Sequence, residues 1–151
     1  MKTVREAVLC VLVPFGATRV NAIKLSAAPL VLASLASVVA PVQAADFREF
    51  DSSAFAAAQA AGDPVLVDVH AWWCPVCFSQ NRAIRKIVAA PRYDKLVVFR
   101  LNYDKQKDEW KRLQVSKQGT LIAYRGQTET GRLAFQTDAA KIEALLSSAV
   151  R

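Results

Sequence analysis

One stretch of fourteen residues decides how this chain folds: Pro64-Val65-Leu66-Val67-Asp68-Val69-His70-Ala71-Trp72-Trp73-Cys74-Pro75-Val76-Cys77. Its first half is a nearly continuous apolar run, which is typical of a central strand in a parallel sheet. Its second half places two cysteines, with two residues between them, at the start of a helix expected over residues 74–89. The stretch therefore predicts a strand that delivers a thiol pair to a helix N-terminus, where the pair can close into a disulfide and open again.

Apolar runs alternate with amphipathic segments on both sides of this stretch. The pattern predicts the order α-β-α-β-α-β-β-α, with helices at 53–61, 74–89, 107–113 and after 138, and strands at 65–69, 96–101, 120–124 and 132–135. Residues 46–50 are interpreted as a lead-in whose Phe47 and Phe50 pack onto the domain. The predicted class is α/β, one domain over residues 45–151 with a mixed central sheet covered by helices on both faces.

Specific residues are expected to end or bury these elements. Asp51 or Ser52 is expected to cap the first helix, Gly62 to end it and Asp138 to cap the last helix. The expected buried residues are, in the second helix, Phe78, Ile84, Ile87 and Val88, in the third, Trp110, and in the last, Ile142, Leu145 and Leu146.

Residues 1–44 have the pattern of a signal peptide. Arg19 and Lys24 precede an apolar segment, and Val42-Gln43-Ala44 supplies the short residues of a signal peptidase site. The apolar segment is interrupted by Pro29 and is shorter than the roughly 18–20 residues that span a bilayer, so cleavage is favoured over a membrane anchor. We expect export to the periplasm, cleavage near Ala44 and no stable membrane insertion afterwards.

Charge and cysteine content narrow the function further. The formal net charge is +7, but basic and acidic residues alternate, as in residues 105–112, which indicates a solvated helix face and not a nucleic-acid site. The expected mature chain carries two cysteines only, Cys74 and Cys77. A bridge across two intervening residues closes too short a loop to stabilise a fold, so the pair is interpreted as reactive.

Two segments carry a resemblance to a known family. The residues from Val65 to Cys77 resemble the active-site segment of thioredoxins, and Thr120-Leu121-Ile122-Ala123-Tyr124-Arg125-Gly126 resembles the strand and hairpin that follow it. The similarity covers essentially residues 51–149. It implies a thioredoxin fold and an exported bacterial thiol–disulfide oxidoreductase that needs no cofactor, acts on protein thiols and disulfides, and receives electrons from a membrane thiol reductant.

Residue roles follow from position and from the resemblance. Cys74 lies where free helix amides and the helix dipole stabilise a thiolate, so it is the expected nucleophile, and Cys77 is expected to resolve the mixed disulfide. Asp68, a carboxyl in an apolar strand, is expected to have a raised pKa. The resemblance makes Asp68 the proton acceptor or donor for Cys77, although a simple bond to a Lys or Ser is the alternative. The resemblance also assigns substrate contact to Trp73, Pro75, Gly119 and Thr120, although ordinary packing is the alternative for Trp73.

The sequence departs from the family pattern at two positions. His70 stands where thioredoxins usually carry an aromatic residue, and it is expected either to tune Cys74 or to fill space. Gly119 stands where the family has a cis-proline facing the cysteines, so no cis bond is expected there. Loss of the proline alters the substrate groove and leaves the thiols more open to a metal.

Two alternatives to a disulfide reductase remain open. One is a metal-binding or metal-delivering module that uses Cys74, Cys77 and His70. It is disfavoured because zinc and iron–sulfur sites take four ligands and one chain offers three. The other is a disulfide oxidase or isomerase. Asp68, and the absence of a His between the cysteines, favour a reductant with a reduction potential on the order of −200 mV or lower.

Overall fold

The computed structural model describes residues 44–150. It contains β1 (Asp46–Glu49), α1 (Ser52–Ala61), β2 (Pro64–His70), α2 (Pro75–Ile87), a short 3-10 helix (Pro91–Tyr93), β3 (Val97–Asn102), α3 (Lys107–Arg112), β4 (Thr120–Arg125), β5 (Thr128–Ala134) and α4 (Ala139–Val150). Apart from Ala44, the predicted leader lies outside the described residues. Within residues 44–150, no helix is long and apolar enough to cross a bilayer.

The strands form one five-stranded sheet in the order β1-β3-β2-β4-β5. The first three strands in this order are parallel, and β4 and β5 run antiparallel to their neighbours. The predicted mixed sheet is confirmed, with β2, the strand before the cysteines, at its centre. The treatment of residues 46–50 as a mere lead-in is wrong, because residues 46–49 pair in register with residues 97–100 as β1. Its charged residues suit an edge strand, which has one neighbour only.

Helices cover both faces of the sheet, as predicted. Side chains alternate across a strand, so Leu66, Asp68 and His70 of β2 point to one face and its valines to the other. Leu66 packs with residues of α2 and α4, among them Ile84 and Leu146. The valines pack with residues of α1 and α3, including the predicted core residue Trp110. Asp68 and His70 therefore lie on the face that α2 covers.

Most predicted helix ends are confirmed, but one expected buried residue, Phe78, is exposed. Asp51 caps α1 by accepting the amide hydrogen of Ala54 at 2.8 Å, and Gly62 ends the helix at φ +79°. Phe78 was expected to be buried but is 53% exposed. The buried residues of α2 are Cys77, Gln80 and Ile84, at spacings of three and four, which leaves Phe78 on the flank of the helix.

The last hairpin is tighter than expected. Residues 128–131 lie between the predicted strands at 120–124 and 132–135, but they form the first half of β5. Gly126, at φ +55°, allows residues 126 and 127 to make the whole turn, so pairing with β4 starts at once. Asp138 caps α4 as predicted, accepting the amide hydrogen of Ala140 at 2.9 Å.

Candidate active site

The two cysteines lie at the N-terminus of α2, joined as a disulfide. Cys74 is the N-cap residue with an extended backbone, and its Sγ accepts the amide hydrogen of Cys77 at 3.1 Å. Pro75 occupies the first turn, where its missing N–H costs nothing. Both sulfurs are buried, packed with Ala71, Val76 and Tyr103. The free amides and the dipole of α2 thus act on Cys74 more directly than on Cys77.

Asp68 is a buried carboxyl in the middle of β2. Its side chain is 1% exposed, and burial raises its pKa from the usual 3.8 to about 7. Arg100, its register partner on β3, lowers the pKa of Asp68. The Nε of Arg100 lies 3.9 Å from the Oδ2 of Asp68, which is too far for a hydrogen bond. Glu49 on β1, the next strand, raises the pKa further. Oδ1 has no partner among the described residues.

The pKa of Asp68 is therefore determined by burial more than by the ion pair with Arg100. The alternative role of Asp68 was a simple bond to a Lys or Ser. Within residues 44–150 it makes no such hydrogen bond, so that alternative gains no support. A carboxyl with a pKa near neutral holds its proton in about half of the molecules at pH 7 and can accept or release one readily.

His70 fills space beneath α2. Its ring meets the ring of Phe78 edge-on, with the centroids 5.6 Å apart, and its Nδ1 is buried without a partner in the described region. Burial lowers the pKa of His70, with Arg100 adding to the effect, so the ring is neutral at pH 7. Of the two roles considered for it, space filling is the one that the geometry supports.

Trp73 and Pro75 are on the surface beside the disulfide. The indole Nε1 of Trp73 donates to both carboxylate oxygens of Asp104, at 3.2 and 3.3 Å, which holds the half-exposed ring in place. Pro75 is exposed at the tip of α2. Thr120 differs from them, because it is buried and its hydroxyl donates to the carbonyl of Lys117 at 2.9 Å. The side chain of Thr120 is therefore engaged within the fold.

Gly119 has a trans peptide bond and a left-handed backbone, φ +70°. Its amide donates to the carbonyl of Val69 at 2.7 Å, beside the first β2–β4 pair. A Cβ at this position would lie 3.4 Å from the ring of Phe135 and 3.5 Å from Val76. Glycine adopts this backbone without strain, whereas proline has a fixed negative φ and cannot adopt it.

Two residues of the site were missed from the sequence. Gln80 is fully buried on α2, and its Nε2 donates to the carbonyls of Gly119 and Gln136, each at 3.0 Å. A polar residue three positions after Cys77, on the buried stripe, was a readable signal for it. Phe135 has a left-handed backbone at φ +54° and follows β5. No local sequence signal indicates that conformation.

The described residues provide few side chains that could bind a metal ion together. Among residues 44–150, no three His, Cys, Asp or Glu side chains are grouped closely enough to hold a metal ion. The geometry therefore adds no support to the metal-binding alternative built on Cys74, Cys77 and His70.

Comparison with known proteins relates this geometry to thioredoxins. The family model described as Thioredoxin matches residues 45–148. Thioredoxin-2 of Saccharomyces cerevisiae is 33% identical over 98 residues, which is 64% of this chain and 92% of the yeast protein. The crystal structure of Trxlp from Edwardsiella tarda EIB202 is 40% identical with a TM-score of 0.65, covering 67% of this chain and 98% of that one. The Malassezia sympodialis thioredoxin Mala s 13 is 17% identical with a TM-score of 0.62, over 70% of this chain and 95% of that one, which shows the shared fold alone.

Proposed function

The chain belongs to the thioredoxin family and is a thiol–disulfide oxidoreductase, and from that premise we propose that it reduces protein disulfides in the bacterial periplasm. The observation that carries the proposal is Asp68, a carboxyl buried on the sheet face under α2 with a pKa of about 7. The nucleophile is Cys74 at the N-terminus of α2, and the resolving thiol is Cys77.

The reaction has two exchange steps. The Cys74 thiolate attacks one sulfur of the client disulfide, the client S–S bond breaks, and the other client sulfur leaves as a thiolate that takes a proton. Asp68, in its ionised form, accepts the proton of the Cys77 thiol. The Cys77 thiolate then attacks Cys74, and the first client sulfur leaves. Two electrons pass to the client, and the protein ends as the Cys74–Cys77 disulfide.

Two features around the pair support the reducing direction. A reductant needs an intrinsically good attacking thiol and a base for its second thiol, and Asp68 supplies that base. An oxidant needs an unusually stable Cys74 thiolate, and a positive charge beside the sulfur would add to the stabilisation that the helix N-terminus gives. Val76 between the cysteines is apolar, and His70 is neutral at pH 7 because burial lowers its pKa. Neither supplies such a charge.

The reduction potential tests the direction. Equilibration with glutathione or dithiothreitol should give a value on the order of −200 mV or lower, near thioredoxin and away from strong oxidants. The reduced protein should also reduce insulin disulfides, and the Cys74→Ser variant should not. A value near −120 mV, the strong-oxidant end of the scale, would contradict the proposal and indicate an oxidase.

The compartment and the electron donor are part of the same proposal. The leader pattern of residues 1–44 supports export, and the family match begins at residue 45, so cleavage after Ala44 leaves the matched region whole. A reductant in an oxidising compartment must be re-reduced, and we assign that task to a membrane protein with a dithiol. N-terminal sequencing of protein from a periplasmic extract should read Ala45 first, and a chain that stays in the cytosol would contradict export.

A further inference from the structure

Phe135 has a backbone conformation that bulky residues rarely adopt. Its φ is +54°, and its side chain is 44% exposed. A left-handed backbone at a non-glycine residue is strained, and such strain persists only where the surroundings fix it. The residue is partly exposed and belongs to none of the hydrophobic clusters of the described region, so the ring is not part of the core.

Hydrogen bonds on both sides of Phe135 hold the conformation. Its own amide donates to the carbonyl of Gly119 at 2.9 Å. The next carbonyl, of Gln136, accepts from the buried Nε2 of Gln80 at 3.0 Å, and the same nitrogen donates to the carbonyl of Gly119. Gln80 lies one turn after Cys77 on α2, so the helix that carries the cysteines also fixes the backbone on which Phe135 stands.

The ring of Phe135 lies near Val76, the residue between the two cysteines. It covers Gly119, in the direction in which a side chain of residue 119 would point, with ring carbons 3.4 and 3.5 Å from that Cβ position. Val76, between the two cysteines, lies 3.5 Å from the same point. Lys117 places Nζ 4.8 Å from the ring centroid. Phe135 and Val76 therefore flank Gly119, and Val76 in turn packs against Cys74 and Cys77.

We propose that Phe135 is a specificity-determining residue that selects clients carrying an apolar side chain next to the reacting cysteine. The proposal rests on the proposed function, because the client is taken to be a polypeptide disulfide. Such a side chain is removed from water against the ring of Phe135 and the methyl groups of Val76. The glycine at 119 leaves room for the ring, since even a Cβ at that position would lie 3.4 Å from it.

Two peptides test the selection. Each contains one disulfide, and they differ only in having Leu or Ser beside the reacting cysteine. The reduced wild-type protein should reduce the Leu peptide with a kcat/KM about tenfold higher. In Phe135→Ala the preference should fall to about twofold, through KM, and Phe135→Tyr should restore it. Reduction of glutathione disulfide, which has no apolar flanking side chain, and the reduction potential should stay unchanged.

Phe47→Ala is the matched control. Phe47 also has a cation over its ring, Arg85 at 4.4 Å, but it lies on β1, at the edge of the sheet opposite β5. Its removal should leave the Leu preference intact. Urea unfolding of each variant shows whether a lost preference reflects lost folding.

Three results would overturn the proposal: no Leu preference in the wild type, a full preference in Phe135→Ala, or an equal fall for peptides and glutathione disulfide. The last would mean that the ring only supports the structure. A wild-type protein that oxidises peptide dithiols but does not reduce disulfides would contradict the proposed direction instead. The Leu preference is then measured on the dithiol peptides, with the same variants and the same criteria.

Discussion

Replacing Asp68 with Asn should stabilise the oxidised protein above pH 7 and change little near pH 4. The pKa of Asp68 is about 7 in the fold against a usual value of 3.8. The difference, 7 − 3.8, corresponds to roughly 4 kcal/mol at about 1.4 kcal/mol per unit. Because the folded state binds this proton more tightly, the free energy of unfolding falls as the pH rises from 3.8 to 7 and stays low above it. An Asn does not ionise, so the variant escapes that loss.

Urea unfolding of the two oxidised proteins at pH 4, 6 and 8 measures the effect. The stability difference should be near zero at pH 4, grow through pH 6 and reach its full size, up to roughly 4 kcal/mol, at pH 8. Asp108→Asn serves as the control, since Asp108 is exposed in the first turn of α3, and it measures what the same exchange does at the surface. A constant difference between wild type and Asp68→Asn would refute the reasoning, because it would mean that Arg100 fully compensates the buried charge.

The same substitution should slow the chemistry. Asn cannot accept the proton of Cys77, so the mixed disulfide should persist, with resolution at neutral pH slower on the order of 100-fold. Single-turnover reduction of a peptide disulfide, followed by acid quenching and mass spectrometry, detects the trapped species. A variant that gains stability and resolves at the normal rate would remove Asp68 from the mechanism. It would leave the residue as a destabilising feature without a catalytic role.

Three further substitutions probe the walls of the site. Gly119→Ala should lower the free energy of unfolding by about 1–2 kcal/mol in urea titration, because φ is +70° and the new methyl meets Phe135 at 3.4 Å. Gln80→Leu should cost about 1–3 kcal/mol in the same assay, since the partly buried carbonyl of Gln136 loses its side-chain donor and that of Gly119 keeps only the amide of Phe135, and hydrogen exchange at residues 118–120 should speed up. Asp104→Ala should cost less than about 1 kcal/mol, but it should free the indole of Trp73 and change its fluorescence. An unchanged spectrum would show that the ring is held by packing alone.

The parts of the site that could be predicted from the sequence are those that depend on neighbouring residues along the chain. The apolar run of β2, the cysteine spacing and the carboxyl of Asp68 lie within fourteen consecutive residues, and each has its own chemical signature. The Gly119 position was also readable, because a proline is absent where similar sequences have one. These features need no knowledge of distant contacts.

The missed parts depend on contacts between distant segments. β1 has four residues, mostly charged, and becomes a strand only because β3 offers an open edge. The left-handed backbone of Phe135 is imposed by Gly119 and by Gln80, both remote in sequence. Phe78 was misassigned because a large apolar side chain was taken as core, whereas the helix turns it toward His70 and solvent. Periodicity alone does not resolve such choices.

Glu49, Arg100 and Asp68 lie side by side on the neighbouring strands β1, β3 and β2. Because of this register, the ionic strength of the medium can affect the pKa of the buried Asp68. Glu49 is exposed on an edge strand, so added salt screens it more strongly than it screens the buried contact between Arg100 and Asp68. Burial is the main cause of the raised pKa of Asp68 and does not depend on salt, so high salt weakens only the smaller contribution that Glu49 adds to it. The exposed edge strand β1 thus links the salt concentration of the medium to the pKa of a buried carboxyl two strands away.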